Sequence, residues 1–130
     1  MNPGSNIDPQ EKTTAYVLYT DTHLYLAFYA YADSENIRAS VRSRDDFGMI
    51  SDDFVLVRFD TYTDARNNYL LLANAFGSQL DARAINALTD EERYDASFNL
   101  EYETQGAIVA DGYQVAVSYT HLTLPTILLV

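Results

Sequence analysis

The side chains able to do chemistry in this chain are mostly carboxylates: Asp and Glu number 19 against 8 Lys and Arg, with 2 His and no Cys. Triad hydrolysis would have to draw on His23, which lies in a polar Thr20-Asp21-Thr22-His23 turn, and no Gly-Xaa-Ser-Xaa-Gly elbow presents a serine to it. The other histidine, His121, belongs to an anomalous C-terminal tail. Zinc needs His or Cys in a cluster, which the sequence does not hold. Glycoside hydrolysis needs two carboxylates flanking one bond. Neighbours such as Asp52 and Asp53 point to opposite faces of an extended chain, and spacing singles out no other pair. No catalytic residue is assigned, and the chain reads as a binding module rather than an enzyme. Hard oxygen ligands gather at Asp60, Asp64 and Asn67, types that suit calcium. Their spacing is not that of an EF-hand loop, and Asp and Asn also cap turns through nearby backbone amides.

Sugar recognition is the chemistry that the composition supports. Tyr 11 and Phe 6 supply rings, although Trp is absent. Aromatic faces cover the apolar C–H side of a sugar, while amide, carboxylate and guanidinium groups fix its hydroxyls. Candidate platforms are Tyr62, Tyr69, Tyr94, Phe98 and Tyr102, with Arg44, Asn74, Gln79 and Asp81 as polar partners; most tyrosines of such a chain pack sheet faces. From these, the expected carbohydrate-binding set is Arg44, Tyr69, Asn74 and Gln79. The net charge of -11 repels phosphate backbones and anionic membranes, which excludes nucleic acid as a partner.

The elements that must position these groups are strands. Thr14–Tyr19 and Leu24–Ala32 form an expected hairpin. The second strand alternates, with Leu24, Leu26, Phe28 and Ala30 on one face and Tyr25, Ala27, Tyr29 and Tyr31 on the other. Further strands are expected over Ile37–Arg44, Phe54–Asp60 (a central strand, from its apolar run), Tyr69–Ala75, Phe98–Tyr102, Ala107–Val109 and Tyr113–Ala116. Asn86–Asp95 suits a short helix or a loop, with Thr89 and Glu92 placed to cap it. Asp111-Gly112 is a hairpin-turn signal, since Gly tolerates the positive φ of a primed turn. Met1–Thr13 reads as an extended lead-in with no signal-peptide character, and no run is long enough for a transmembrane helix. The chain length of 130 residues suits one domain. The fold class is all-β, an antiparallel β-sandwich.

Five pieces recur here in an order that carries a resemblance: Arg44-Asp45-Asp46, Ser51-Asp52-Asp53, Phe59-Asp60-Thr61-Tyr62, Asn74, and Gly77-Ser78-Gln79-Leu80-Asp81. From about Lys12 to Ala116 the chain resembles the bacterial family 9 carbohydrate-binding-module-like domains. It is most similar to the N-terminal domain of a family whose C-terminal part is an outer-membrane β-barrel. The resemblance implies a jelly-roll-like sandwich, a polysaccharide or oligosaccharide partner, and structural calcium, for which Asp60 and Asp64 are the candidate ligands. It also implies a longer parent chain, extracellular, periplasmic or outer-membrane-associated, that takes part in polysaccharide breakdown as, or beside, a glycoside hydrolase. Sugar-binding members clamp a sugar between two Trp. Here Ile50 stands at one of those positions, Leu56 replaces a sugar-contacting Glu and Leu72 an Arg, while Asn74 is retained. These departures support the alternative of a structural N-terminal domain without sugar binding.

Val117–Val130, VSYTHLTLPTILLV, contains no Asp, Glu, Lys or Arg. VSYTHLTLPT resembles one reading frame of a transposase-type sequencing adapter, and the adapter's following A, variable index and GTG TAG account for Ile127, Leu128, Leu129, Val130 and a stop. The expectation is that residues 117–130 are adapter-derived, that the native sequence is a fragment ending near Ala116, and that Met1 need not be the true start.

Overall fold

The computed structural model describes residues 10–60, 63, 66–85 and 93–120. Eight strands build two antiparallel sheets: β1 (Thr13–Tyr19), β2 (His23–Tyr31), β3 (Phe54–Phe59), β4 (Asn67–Asn74), β5 (Gln79–Ile85), β6 (Arg93–Asp95), β7 (Tyr102–Val109) and β8 (Gly112–Thr120). Sheet A has the order β1-β2-β8-β7 and sheet B the order β3-β4-β5-β6, each of four strands. The all-β sandwich is as the sequence indicates.

Period-2 alternation fixes the register. Leu24, Leu26 and Ala30 of β2 join Tyr113, Val115 and Val117 of β8 on the inner face of sheet A. They pack against Val55, Leu71 and Ala73 on the inner face of sheet B. Burying each such Leu or Val is worth about 1.5–3 kcal/mol, which sets the separation of the layers. Leu70, Leu72, Leu80, Ala82 and Ala84 point out of the other face of sheet B and form a second cluster with Met49. Met49 is delivered there by a 3-10 turn, Phe47–Ser51, whose N-cap Asp46 accepts from Gly48 N. With apolar residues on both faces, β4 is the central strand. The apolar run of β3 instead lies at the edge of its sheet, with Leu56 42% exposed.

Several boundaries differ from the sequence reading. Ile37–Arg44 is extended but is not a strand, because side chains rather than a neighbouring strand satisfy its amides. Arg38 N donates to Asp53 Oδ2, Ser40 N to Asp52 Oδ2 and Arg42 N to Ser78 Oγ. The segment acts as a strap across the ends of β3, β4 and β5. Gln79–Asp81, which none of the expected strands covers, opens strand β5. The short strands read at Phe98–Tyr102 and Ala107–Val109 are replaced by one continuous strand, β7. The β7–β8 loop is Ala110-Asp111, since Val109 pairs with Gly112. Neither loop residue has a positive φ; Gly112 itself does, at 154°, in a place where an added Cβ would lie 1.9 Å from the Ala30 carbonyl oxygen. Close approach, not turn type, requires this glycine. Of the 86–95 segment, Arg93–Asp95 is β6; Thr89 and Glu92 lie outside the described residues. β8 runs past Ala116 to Thr120, with Val117 buried and Tyr119 partly buried against the core; the buried–exposed alternation ends at Val117, and Ser118–Thr120 are all half-buried.

Candidate functional site

The strap meets sheet B through two charged networks. In the first, Arg42 grips Asp52 with two bonds, Nε to Oδ2 at 2.8 Å and Nη2 to Oδ1 at 2.9 Å. Asp52 Oδ2 also accepts from Asn74 Nδ2 at 2.9 Å. The Arg42 bond, helped by Asn74 and the Ser40 N–H, holds the Asp52 carboxyl well below the usual carboxylate range, against the opposing effect of burial. Asn74 is 0% exposed. Its Nδ2 also donates to Ser40 O at 2.7 Å, and its Oδ1 accepts from Phe76 N and Ser78 N, both at 3.0 Å. All of its hydrogen-bonding capacity is engaged in holding the strap to the β4–β5 turn.

The second network surrounds Asp81, which is 0% exposed and faces the space between the sheets. Its Oδ2 accepts from Leu100 N at 2.5 Å, and its Oδ1 accepts from Arg44 Nη2 at 3.1 Å. The same Nη2 donates to Leu100 O. Asp45, at φ 62°, receives Asp81 N on its Oδ1, and its own N–H donates to Gln79 O. Burial pushes the Asp81 carboxyl up, while the Leu100 N–H and Arg44 pull it back. Gln79 Nε2 bridges to β7, donating to Tyr102 O and Thr104 Oγ1, both at 3.0 Å.

The expected binding residues therefore separate. Asn74 and Gln79 are structural ties. Tyr69 lies about 17 Å along β4 from Asn74 at the rise of an antiparallel strand, packed on Phe98 with ring centroids 4.8 Å apart. Tyr102 is a core residue whose hydroxyl is pushed up chiefly by burial. Tyr94 is exposed on β6; Tyr62 lies outside the described residues. Arg44 keeps an accessible face: its side chain is 41% exposed, with Cζ 5.4 Å from the Tyr102 ring centroid. That face lines a hollow of about 340 Å³ with His23, Glu101, Tyr102, Glu103, Ser118 and Thr120. Charged and hydroxyl groups of both hydrogen-bonding senses thus converge around a guanidinium held in place from behind. Arg44 was legible in the sequence; Glu101 and Glu103 were not, because they come to it through the Arg44–Leu100 contact between positions 56 residues apart.

On the outer face of sheet B, Leu56, Leu72 and Leu80 form one cross-strand row, with Ile50 63% exposed. Leu72 and Leu80 are buried there, packed with Met49 and Phe54. For calcium, Asp60 is exposed just past β3 and Asp64 lies outside the described residues. Among the described residues no group of three His, Cys, Asp or Glu could hold a metal, and calcium takes about 6–8 oxygens. No family model, no curated protein and no solved structure matches the chain.

Proposed function

We propose that this sandwich is a non-catalytic carbohydrate-binding domain of a larger secreted or outer-membrane bacterial protein that handles polysaccharide. The observation that supports this most is the Arg44 hollow. A guanidinium immobilised by Asp81 and Leu100 faces Glu101 and Glu103, a pairing of fixed donors and acceptors suited to vicinal hydroxyls. Preorganisation matters because hydroxyl recognition competes with water, and a donor already held loses less freedom on binding.

Calorimetric titration of the chain with neutral oligosaccharides tests the reading. Binding that weakens about tenfold in Glu101→Ala supports it; absence of heat with every sugar, from a folded sample, contradicts it. Arg44 is unsuitable for this test because its removal strands the Asp81 carboxylate. The alternative, a structural domain without sugar binding, is favoured by one specific observation: Leu72 and Leu80 on the outer face of sheet B are only 5% and 4% exposed and pack with Met49 and Phe54, so that this face is filled as a second small core rather than open to a sugar.

A further inference from the structure

The outer face of sheet A carries a shape that neither the motifs nor the resemblance point to. Along β2 this face reads His23, Tyr25, Ala27, Tyr29, Tyr31, an aromatic stripe interrupted once, at Ala27. Register places Tyr16 of β1 on one side of Ala27 and Ala116 of β8 on the other, and Gln105 of β7 beside Ala116. The cross-strand row is thus Tyr16-Ala27-Ala116-Gln105, with two methyl groups between a ring and an amide. The rows on either side are taller, holding Tyr25 and Glu103 on one and Tyr29 and Gln114 on the other. The result is a basin about 14 Å across, three strand spacings, and about 13 Å long, four residues of strand.

Two hollows of about 620 and 410 Å³ occupy it and share Tyr16, Ala27, Gln105 and Ala116. Each is of the size that small ligands fill. Neither is lined by Lys or Arg, and Glu103 adds negative charge to a chain already at -11. Anions are therefore disfavoured. The rings Tyr16, Tyr25 and Tyr29 can cover C–H faces, and the amides of Gln105 and Gln114 can both donate to and accept from hydroxyls. The Tyr29 hydroxyl is anchored on Asp111 Oδ1, which steadies that wall.

From this we infer that the Ala27–Ala116 basin is a binding site for two or more consecutive sugar residues of a neutral glycan chain. It is continuous with the Arg44 hollow through the shared Glu103 and Ser118. The inference rests on the carbohydrate-binding reading and adds an aromatic subsite to it. The chain would lie along β2 and β8, with its rings over the two alanines and one end reaching Arg44. The row at the centre of the basin, Tyr16-Ala27-Ala116-Gln105, lies at or before Ala116, and Val117 and Ser118 line its end nearest Arg44.

Because the protein has no Trp, its emission comes from 11 Tyr, of which Tyr16, Tyr25 and Tyr29 line the basin. The full chain is titrated with cellohexaose, xylohexaose and maltohexaose, and with a hexagalacturonate as the anionic control. The expected result is a saturable emission change with at least one neutral hexaose, not with the uronate. Affinity should fall about tenfold or more in Ala27→Leu, which fills the floor, and in Tyr16→Ala, which removes a wall. Both positions are on an exposed face, and circular dichroism checks the fold of each variant. Binding lost in Glu101→Ala but unchanged in Ala27→Leu and Tyr16→Ala would overturn the basin and keep the Arg44 hollow. Preference for the uronate would overturn the neutral-ligand assignment. No binding by the unmodified chain would overturn both.

Discussion

Asn74 Nδ2 donates to Asp52 Oδ2 across 2.9 Å, joining a fully buried amide to a part-buried carboxylate 22 positions away. Arg44-Asp45-Asp46, Ser51-Asp52-Asp53, Asn74 and Gly77–Asp81 converge on the strap and the β4–β5 turn, where their hydrogen bonds tie the strap, the turn, Leu100 and β7 together. The motif is a frame.

Asn74→Ala should accordingly destabilise rather than disarm. It leaves Phe76 N–H, Ser78 N–H, Ser40 O and one bond of Asp52 without a partner, at about 1–3 kcal/mol for each group that water cannot reach. Urea denaturation should show a loss on the order of 3 kcal/mol, and the molecules still folded should bind glycan as before.

The two buried carboxylates give opposite pH dependences. Asp52 is depressed by Arg42, so its stabilisation is present above the ordinary carboxylate pKa, about 3.9, and is lost as pH falls through its folded value. Asp81 is raised, mainly by burial, so its contribution is complete below the ordinary value and is lost as pH rises through its folded value. Melting temperature should therefore rise slightly on modest acidification from neutrality and fall steeply below about pH 4. Asp52→Asn should weaken the steep limb and Asp81→Asn the gentle one.

Gly106 of β7 faces the β4–β5 turn so closely that an added Cβ would lie 2.4 Å from Ala75 O and 2.5 Å from Gly77 N. Both neighbours are backbone and cannot rotate away. Gly106→Ala should force the sheets apart at this edge and cost about 1–3 kcal/mol, the range for overpacking, read as a lowered urea midpoint.

The C-terminal residues separate origin from packing. The source DNA across codons 117–126 is expected to read as the adapter frame, GTC TCT TAT ACA CAT CTG ACG CTG CCG ACG; any other coding sequence there would remove that assignment. Val117 and Tyr119 nevertheless pair with Leu26 and Leu24 of β2 and face the core. A chain ended at Ala116 should melt at lower temperature than the 130-residue chain and aggregate more readily, because β2 and β7 both lose backbone partners.

The sequence made β2 legible, since its alternation alone separates Leu24, Leu26 and Ala30 from the tyrosines. It concealed β5, because Asp81 and Arg83 occupy the face toward the other sheet and break the apolar signature of a strand. It misplaced the strap, whose Ile37, Ala39 and Val41 alternate like a strand while carboxylates and a hydroxyl take the place of a neighbouring strand. Arg44 could be recognised by residue type. Glu101 and the basin could not, because Ala27 and Ala116 become a floor only through a pairing between positions 89 residues apart.

The most direct test of sugar binding, and of its location, is an amide chemical-shift titration of the full chain with soluble neutral oligosaccharides. Shifts confined to the outer face of sheet A, around Tyr25–Tyr29, Glu103–Ala107 and Gln114–Ser118, are the predicted result. No shift with any sugar, or shifts restricted to Ile50, Leu56 and Leu72 on sheet B, would contradict it.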